Sequence, residues 1–191
     1  MYKSKLVPAR MFVIALVFFL TGISYATAEA VQDDPFAPLP SEPQVAMLEL
    51  AEKSGLTLRQ SIIEAGEHYL GAKYVYGKQS PATMEFDCAG FLSSAFQEGV
   101  SIKLPRSSKD IALVGTEVSP DQLRMGDIVY FDTDDRDGKK AVTHVAIYVE
   151  PNKLLHAISW PPSEAGVQFT AFQEDRYWYP RVLGYRRVIN E

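Results

Sequence analysis

Apolar residues in this chain recur at helical spacing as far as Ser107 and at strand spacing beyond it. Leu58, Ile62, Ala65 and Tyr69 return every three or four positions. Thr57 with Gln60 forms a capping signal ahead of them and Gly71 closes the run, so the spacing predicts a helix over 58–70. Val45, Leu48 and Leu50, with Ala46 and Ala51, predict a shorter helix over 45–53 ended by Gly55. A third apolar run covers 88–96 and stops at Gly99. After Ser107, itself a capping signal with Asp110, the segments 128–131, 142–149, 153–158 and 185–189 read as strands. Helices first and strands afterwards imply an α+β domain, with N-terminal helices packed on a central antiparallel sheet. The charged stretch 132–140 reads as a solvated hairpin loop.

With 191 residues, 47% of them hydrophobic, the chain has material for one compact core. Lys3, Lys5 and Arg10 precede an apolar run over 11–20, and Ala26-Thr27-Ala28 supplies the small residues of a cleavage site. Residues 1–28 therefore read as a secretory signal peptide. Thr21, Gly22 and Ser24 interrupt the run short of the roughly 20 apolar residues of a membrane anchor, so no span is expected after cleavage. No cysteine lies near the cleavage site, which argues against a lipid anchor there, and the expected location is periplasmic or secreted. Asp33-Asp34 and Pro35, Pro38, Pro40 and Pro43 suit an extended spacer. The expected division is a signal over 1–28, a leader with a short helix over 29–56, and a main folded domain over 57–191. Removing the signal takes the formal charge from −5 to −8, and an acidic chain is a poor partner for nucleic acid.

Cys88 is the only cysteine, so no internal disulfide is available to an exported chain that carries an oxidisable thiol. In Phe86-Asp87-Cys88-Ala89-Gly90-Phe91, Asp87 is a good N-cap for the apolar helix that follows. Cys88 would then sit in the first turn, where free backbone N–H groups and the helix dipole favour thiolate over thiol. The same N–H groups could hold the oxyanion formed when an amide is attacked. A thiol nucleophile needs a base, and only three histidines exist. His68 falls late in a helix beside Glu67, a surface position. His144 opens the alternating segment His144-Val145-Ala146-Ile147-Tyr148, and His156 lies in the next strand. A turn centred near Glu150 would set the two directly opposite on one face, about 5 Å apart at Cβ. A Cys-His-polar triad is the arrangement this supports. Zinc is the rival use of one cysteine and two histidines; the short C-x-x-C or H-E-x-x-H spacing is lacking, and no metal or cofactor is expected.

At these residues the chain resembles the NlpC family of papain-like cysteine peptidases. The resemblance runs over about 57–190 and rests on Tyr74-Val75-Tyr76-Gly77, Phe86-Asp87-Cys88-Ala89-Gly90-Phe91, Leu104-Pro105-Arg106-Ser107, Met125-Gly126-Asp127-Ile128-Val129-Tyr130-Phe131, Thr143-His144-Val145-Ala146-Ile147-Tyr148, Leu155-His156-Ala157 and the closing Gly184-Tyr185-Arg186-Arg187-Val188. It implies Cys88 as nucleophile, His144 as general base and then acid, and His156 as the residue that orients His144. It also implies that the Tyr74 hydroxyl lies near the oxyanion or the substrate, while Asp87 caps the helix and meets a substrate amine. The implied partners are peptidoglycan peptides, cut in their stems or cross-links. Ala89 and Lys78 stand where the family often has Ser and Gly, a departure that bears on substrate choice. An exported toxin or another amide or acyl hydrolase on the same fold, and a non-catalytic wall scaffold, stay open as alternatives.

Overall fold

The computed structural model describes residues 42–134 and 140–190. The expected signal peptide, most of the leader and the tip of the charged loop lie outside the described residues. Contacts divide the chain into two units, Met1–Val45 and Ala46–Glu191, and every strand among the described residues belongs to the second.

The first helix, α1, is one continuous element, Glu42–Glu67, where the sequence predicts two helices separated at Gly55. Thr57 does not cap a new helix: its Oγ1 bonds back to the Lys53 carbonyl at 2.9 Å, and Ser61 Oγ does the same to Thr57 at 3.1 Å. Such back-bonding satisfies the hydroxyl inside a helix that runs on through it. The helix also stops earlier than predicted, and Gly71 takes a left-handed φ of 78° in the turn beyond.

A small sheet comes next, made of β1 (Lys73–Tyr74), β2 (Gln79–Ser80) and β3 (Glu85–Phe86), in the order β1-β3-β2. β1 and β3 are parallel, with Tyr74 beside Phe86. Then come α2 (Cys88–Val100) and a single turn, α3 (Ser108–Ile111), whose N-cap Ser107 accepts from Asp110 N–H at 3.2 Å as the sequence predicts. α2 runs through Gly99 to a left-handed Ser101. Gly99 is needed inside the helix, because a Cβ there would lie 2.5 Å from the Ser61 carbonyl oxygen of α1.

The main sheet contains β4 (Thr116–Glu117), β5 (Ile128–Phe131), β6 (His144–Val149), β7 (Lys153–Ile158), β8 (Gly166–Ala171) and β9 (Val182–Arg187), in the order β4-β9-β5-β6-β7-β8. All its pairings are antiparallel. The α+β class is as expected; β5 and β7 match their predicted spans, and β8 is an addition. The central strands are buried on both faces, and alternation sends their side chains to two different cores. Val145, Ile147, Leu155 and Ala157 meet Phe91, Leu92, Ala95 and Phe96 of α2. Ala146, Tyr148, Leu154 and Ile158 meet Phe131, Phe172, Trp178 and Tyr185 on the far side. Phe91, Leu92 and Phe96 are fully buried, each stabilising the helix-on-sheet packing by about 1.5–3 kcal/mol. This packing fixes where the start of α2 lies against the start of β6. Among the described residues, no helix is long and apolar enough to cross a membrane.

Candidate active site

Three pieces of backbone converge on Asp87. Its N–H donates to the Lys78 carbonyl at 3.0 Å, and Val75 N–H donates to Phe86 at 2.8 Å, so the loop 75–87 is closed on itself just ahead of α2. The Asp87 carboxylate then caps the helix, with Oδ1 accepting from Gly90 N–H at 2.7 Å and Oδ2 from Gly77 N–H at 2.9 Å. Arg106 completes its coordination with two further bonds and donates a third to the Lys78 carbonyl at 3.1 Å. The capping role expected of Asp87 is present. Its oxygens are already engaged and the residue is buried, which leaves little of it for a substrate amine. Arg106 lies within one of the family-like sequence motifs, but only the fold shows what it holds.

Cys88 is the first residue of α2 and is 8% exposed. Backbone N–H groups of Val145, Ala89 and Cys88 itself lie near enough to the sulfur to favour its charged form. Val145 follows His144 directly, so the thiol is set against the opening residues of β6. The thiolate expected from the helix dipole is not the resting form. Burial, followed by the charge of Asp87, pushes the thiol up to about 11, and the three N–H groups offset only part of that.

His144 and His156 form one unit. Nε2 of His144 lies 2.9 Å from Nδ1 of His156, and Nε2 of His156 lies 3.0 Å from the Thr170 hydroxyl. The ring nitrogen of His144 outside this chain is Nδ1. The sequence places the two histidines directly opposite one another across a turn centred near Glu150. The register instead pairs Ile147 with Leu155 and Val149 with Lys153, which centres the turn on Pro151 and offsets the histidines diagonally on one face. A diagonal neighbour is still within reach of an imidazole. Trp178 packs against both rings, tilted on His144 with centroids 4.8 Å apart and edge-on to His156 at 4.6 Å, and Phe131 lies 5.8 Å from His144. In this apolar box burial holds His144 down to about 3 and, with the neighbouring imidazole adding to the effect, His156 well below its usual range. Both rings are therefore neutral near pH 7. His68 takes the surface position expected of it, paired with Glu98 at 2.7 Å.

Tyr74 is half-buried against the main core. Burial first, and then the nearby charges of Cys88, Asp87 and Tyr76, raise its hydroxyl to about 12, while a hydrogen bond with Ser159 acts in the opposite direction. Its hydroxyl is thus neutral near pH 7 and close enough to Cys88 to feel its charge. Ser159, Thr170 and Trp178 are site residues that sequence reasoning misses. The alternation of Val167 and Phe169 with Gln168 and Thr170 could have revealed β8, whereas Trp178 sits in a stretch without periodicity. Among the described residues, no group of three or more His, Cys, Asp and Glu side chains is placed to hold a metal ion.

The profile described as the NlpC/P60 family matches residues 71–187, the stretch that carries every one of these groups. A Gamma-DL-glutamyl hydrolase of Bacillus subtilis is 30% identical over 129 residues, covering 68% of this chain and 29% of that protein. The Murein DD-endopeptidase MepS/Murein LD-carboxypeptidase of Escherichia coli is 31% identical over 133 residues, covering 70% of this chain and 64% of that one. The crystal structure of a protein described as similar to a lipoprotein of the NLP/P60 family, from Staphylococcus aureus, superposes with a TM-score of 0.59 at 32% identity, over 70% of this chain and 42% of its own. The matched region is less than two thirds of each of these relatives. With the profile spanning more than half of its length, the chain belongs to the NlpC/P60 family.

Proposed function

We propose that this protein is a cysteine peptidase that hydrolyses an amide bond in the peptides of peptidoglycan, in a stem or a cross-link, and that residues 1–28 export it to a periplasmic or external location. The observation that carries the reading is the meeting of α2 and β6. A thiol at a capped helix start faces the backbone of Val145, and the adjacent His144 is tied through Nε2 to His156. The names of the glutamyl hydrolase and of the murein endopeptidase point to amides of that kind.

Because the thiol is pushed up and the imidazole down, the resting pair is neutral. The proton therefore moves as the attack occurs, and Nδ1 of His144 takes it while the sulfur bonds to the carbonyl carbon. Negative charge then builds on the carbonyl oxygen, with the N–H groups of Cys88 and Ala89 and the hydroxyl of Tyr74 as nearby donors. His144 returns the proton to the leaving nitrogen as the C–N bond breaks. Water attacks the thioester, gives its proton to His144, and the acid departs as the sulfur is reprotonated.

Purified muropeptides incubated with the wild type and with Cys88→Ala test this. The wild type is expected to release shorter peptides and the variant none. Equal product patterns from the two would overturn the enzymatic reading.

A further inference from the structure

Deepening the reading of His144 as the base, and resting on it, we propose that Thr170 is a positioning residue whose hydroxyl, as acceptor, supports the tautomer of both histidines that leaves Nδ1 of His144 bare. The hydrogen bonds run in one line, from His144 Nε2 to His156 Nδ1 at 2.9 Å and from His156 Nε2 to Thr170 Oγ1 at 3.0 Å. A neutral imidazole has one N–H and one bare nitrogen, so the direction of one bond in such a line fixes the rest.

If Thr170 accepts, His156 carries its proton on Nε2 and presents a bare Nδ1. That nitrogen accepts Nε2–H of His144, and Nδ1 of His144 is left bare to take the thiol proton. If the line runs the other way, His156 donates from Nδ1, His144 accepts at Nε2, and its proton must sit on Nδ1. A base in that form has nothing with which to accept a proton. His156 is fully buried and Trp178 covers it, so an Nε2–H without an acceptor would stand unpaired away from water. Deleting the hydroxyl moves the His156 proton to Nδ1, where His144 is the available acceptor, and the base is switched off from two residues away.

β8 brings Thr170 to this place. It pairs with Leu154 across β7, two residues from His156 and in register with that strand along its whole length. A hydroxyl on a paired strand is held more firmly than one on a loop, as a tautomer selector requires.

Thr170→Val keeps the shape and removes the hydroxyl; Thr170→Ser keeps the hydroxyl. Imidazole 15N shifts of labelled protein near pH 7 should show both His144 and His156 as Nε2–H tautomers in the wild type and in Thr170→Ser. In Thr170→Val both should move toward Nδ1–H. Muropeptide kcat should fall on the order of tenfold to a hundredfold in Thr170→Val, with KM little changed, and should return to within about twofold in Thr170→Ser. Wild-type tautomers in Thr170→Val overturn the proposal, and so does a Thr170→Ser protein as impaired as Thr170→Val. A wild type inert toward muropeptides but with shifts responding as stated overturns the substrate reading alone.

Discussion

Arg106 grips Asp87 with both arms of its guanidinium, Nη1 at 2.9 Å from Oδ1 and Nη2 at 2.7 Å from Oδ2. The Asp87 side chain is 9% exposed and the Arg106 side chain 43%. A buried carboxylate directly before Cys88 would oppose ionisation of the thiol, and Arg106 is the charge that offsets it. Arg106→Gln is therefore expected to lower stability by about 1–2 kcal/mol, at the modest end because the arginine is partly solvated. It should also move the onset of Cys88 alkylation to higher pH. Urea denaturation and the rate of reaction with iodoacetamide read the two effects. Unchanged alkylation in a folded variant would show that the pair matters to the cap and not to the sulfur.

The thiol itself gives a sharper expectation. With Cys88 pushed up to about 11, chiefly by burial, the thiolate fraction of the free protein should keep growing throughout the alkaline range. Alkylation should rise by close to tenfold per pH unit between about pH 7 and pH 10 without levelling. Cys88 is the only cysteine, so whole-protein mass reports its modification without ambiguity. A plateau above about pH 8.5, the ordinary thiol value, would mean that the helix start and the three N–H groups outweigh burial after all.

Asp87 and Cys88 show which parts of the site are legible in the sequence. A capping residue, an apolar helical run and a cysteine at its first position are local signals, and the structure keeps them. The strand that begins at His144 is equally readable, since its alternation separates Val145 and Ile147 from Ala146 and Tyr148. What escapes depends on distant partners. The turn centre at Pro151, with Asn152 in the left-handed region, shifts the strand register and cannot be read from the strands it joins. Thr170 and Trp178 act only because β8 and the segment before β9 fold over the histidines. Gly55 misleads for a related reason. A mid-helix glycine weakens a helix by about 1 kcal/mol, which is not by itself enough to end one.

The two buried imidazoles predict how the fold fails in acid. His144 is held down to about 3 and His156 well below its usual range, whereas both would bind protons near 6.5 once unfolded. A depressed folded-state value means the unfolded chain binds more protons below pH 6.5, so stability falls as pH falls through that window. His144 should contribute a slope of about 1.4 kcal/mol per pH unit between roughly pH 6 and pH 4, and the lowered His156 adds to it in the same direction. Denaturant midpoints measured across this range should fall less steeply in His156→Asn than in the wild type. Parallel slopes would mean that His156 is charged in the folded protein.

Gly90 ties the start of α2 to the loop before it more tightly than any side chain could. A Cβ at this position would lie 2.3 Å from the Lys78 carbonyl oxygen and 3.1 Å from Asp87 Oδ1. Both are fixed points: the Lys78 carbonyl accepts from Asp87 N–H and Arg106, and Asp87 Oδ1 accepts from Gly90 itself. Backbone cannot yield to a methyl group without loosening those bonds, so Gly90→Ala must shift the loop, the start of α2, or both. The expected result is a loss of about 1–3 kcal/mol together with at least a tenfold fall in muropeptide kcat, because Cys88 rides on the turn that is displaced. Ala89→Ser is the comparison, since it places a small polar group on the same turn without that backbone clash and should keep most activity. If Gly90→Ala matched the wild type in both melting and turnover, loop 75–87 would have to be free to move, and the placement of Cys88 would rest on the packing of α2 against β6 and β7 alone.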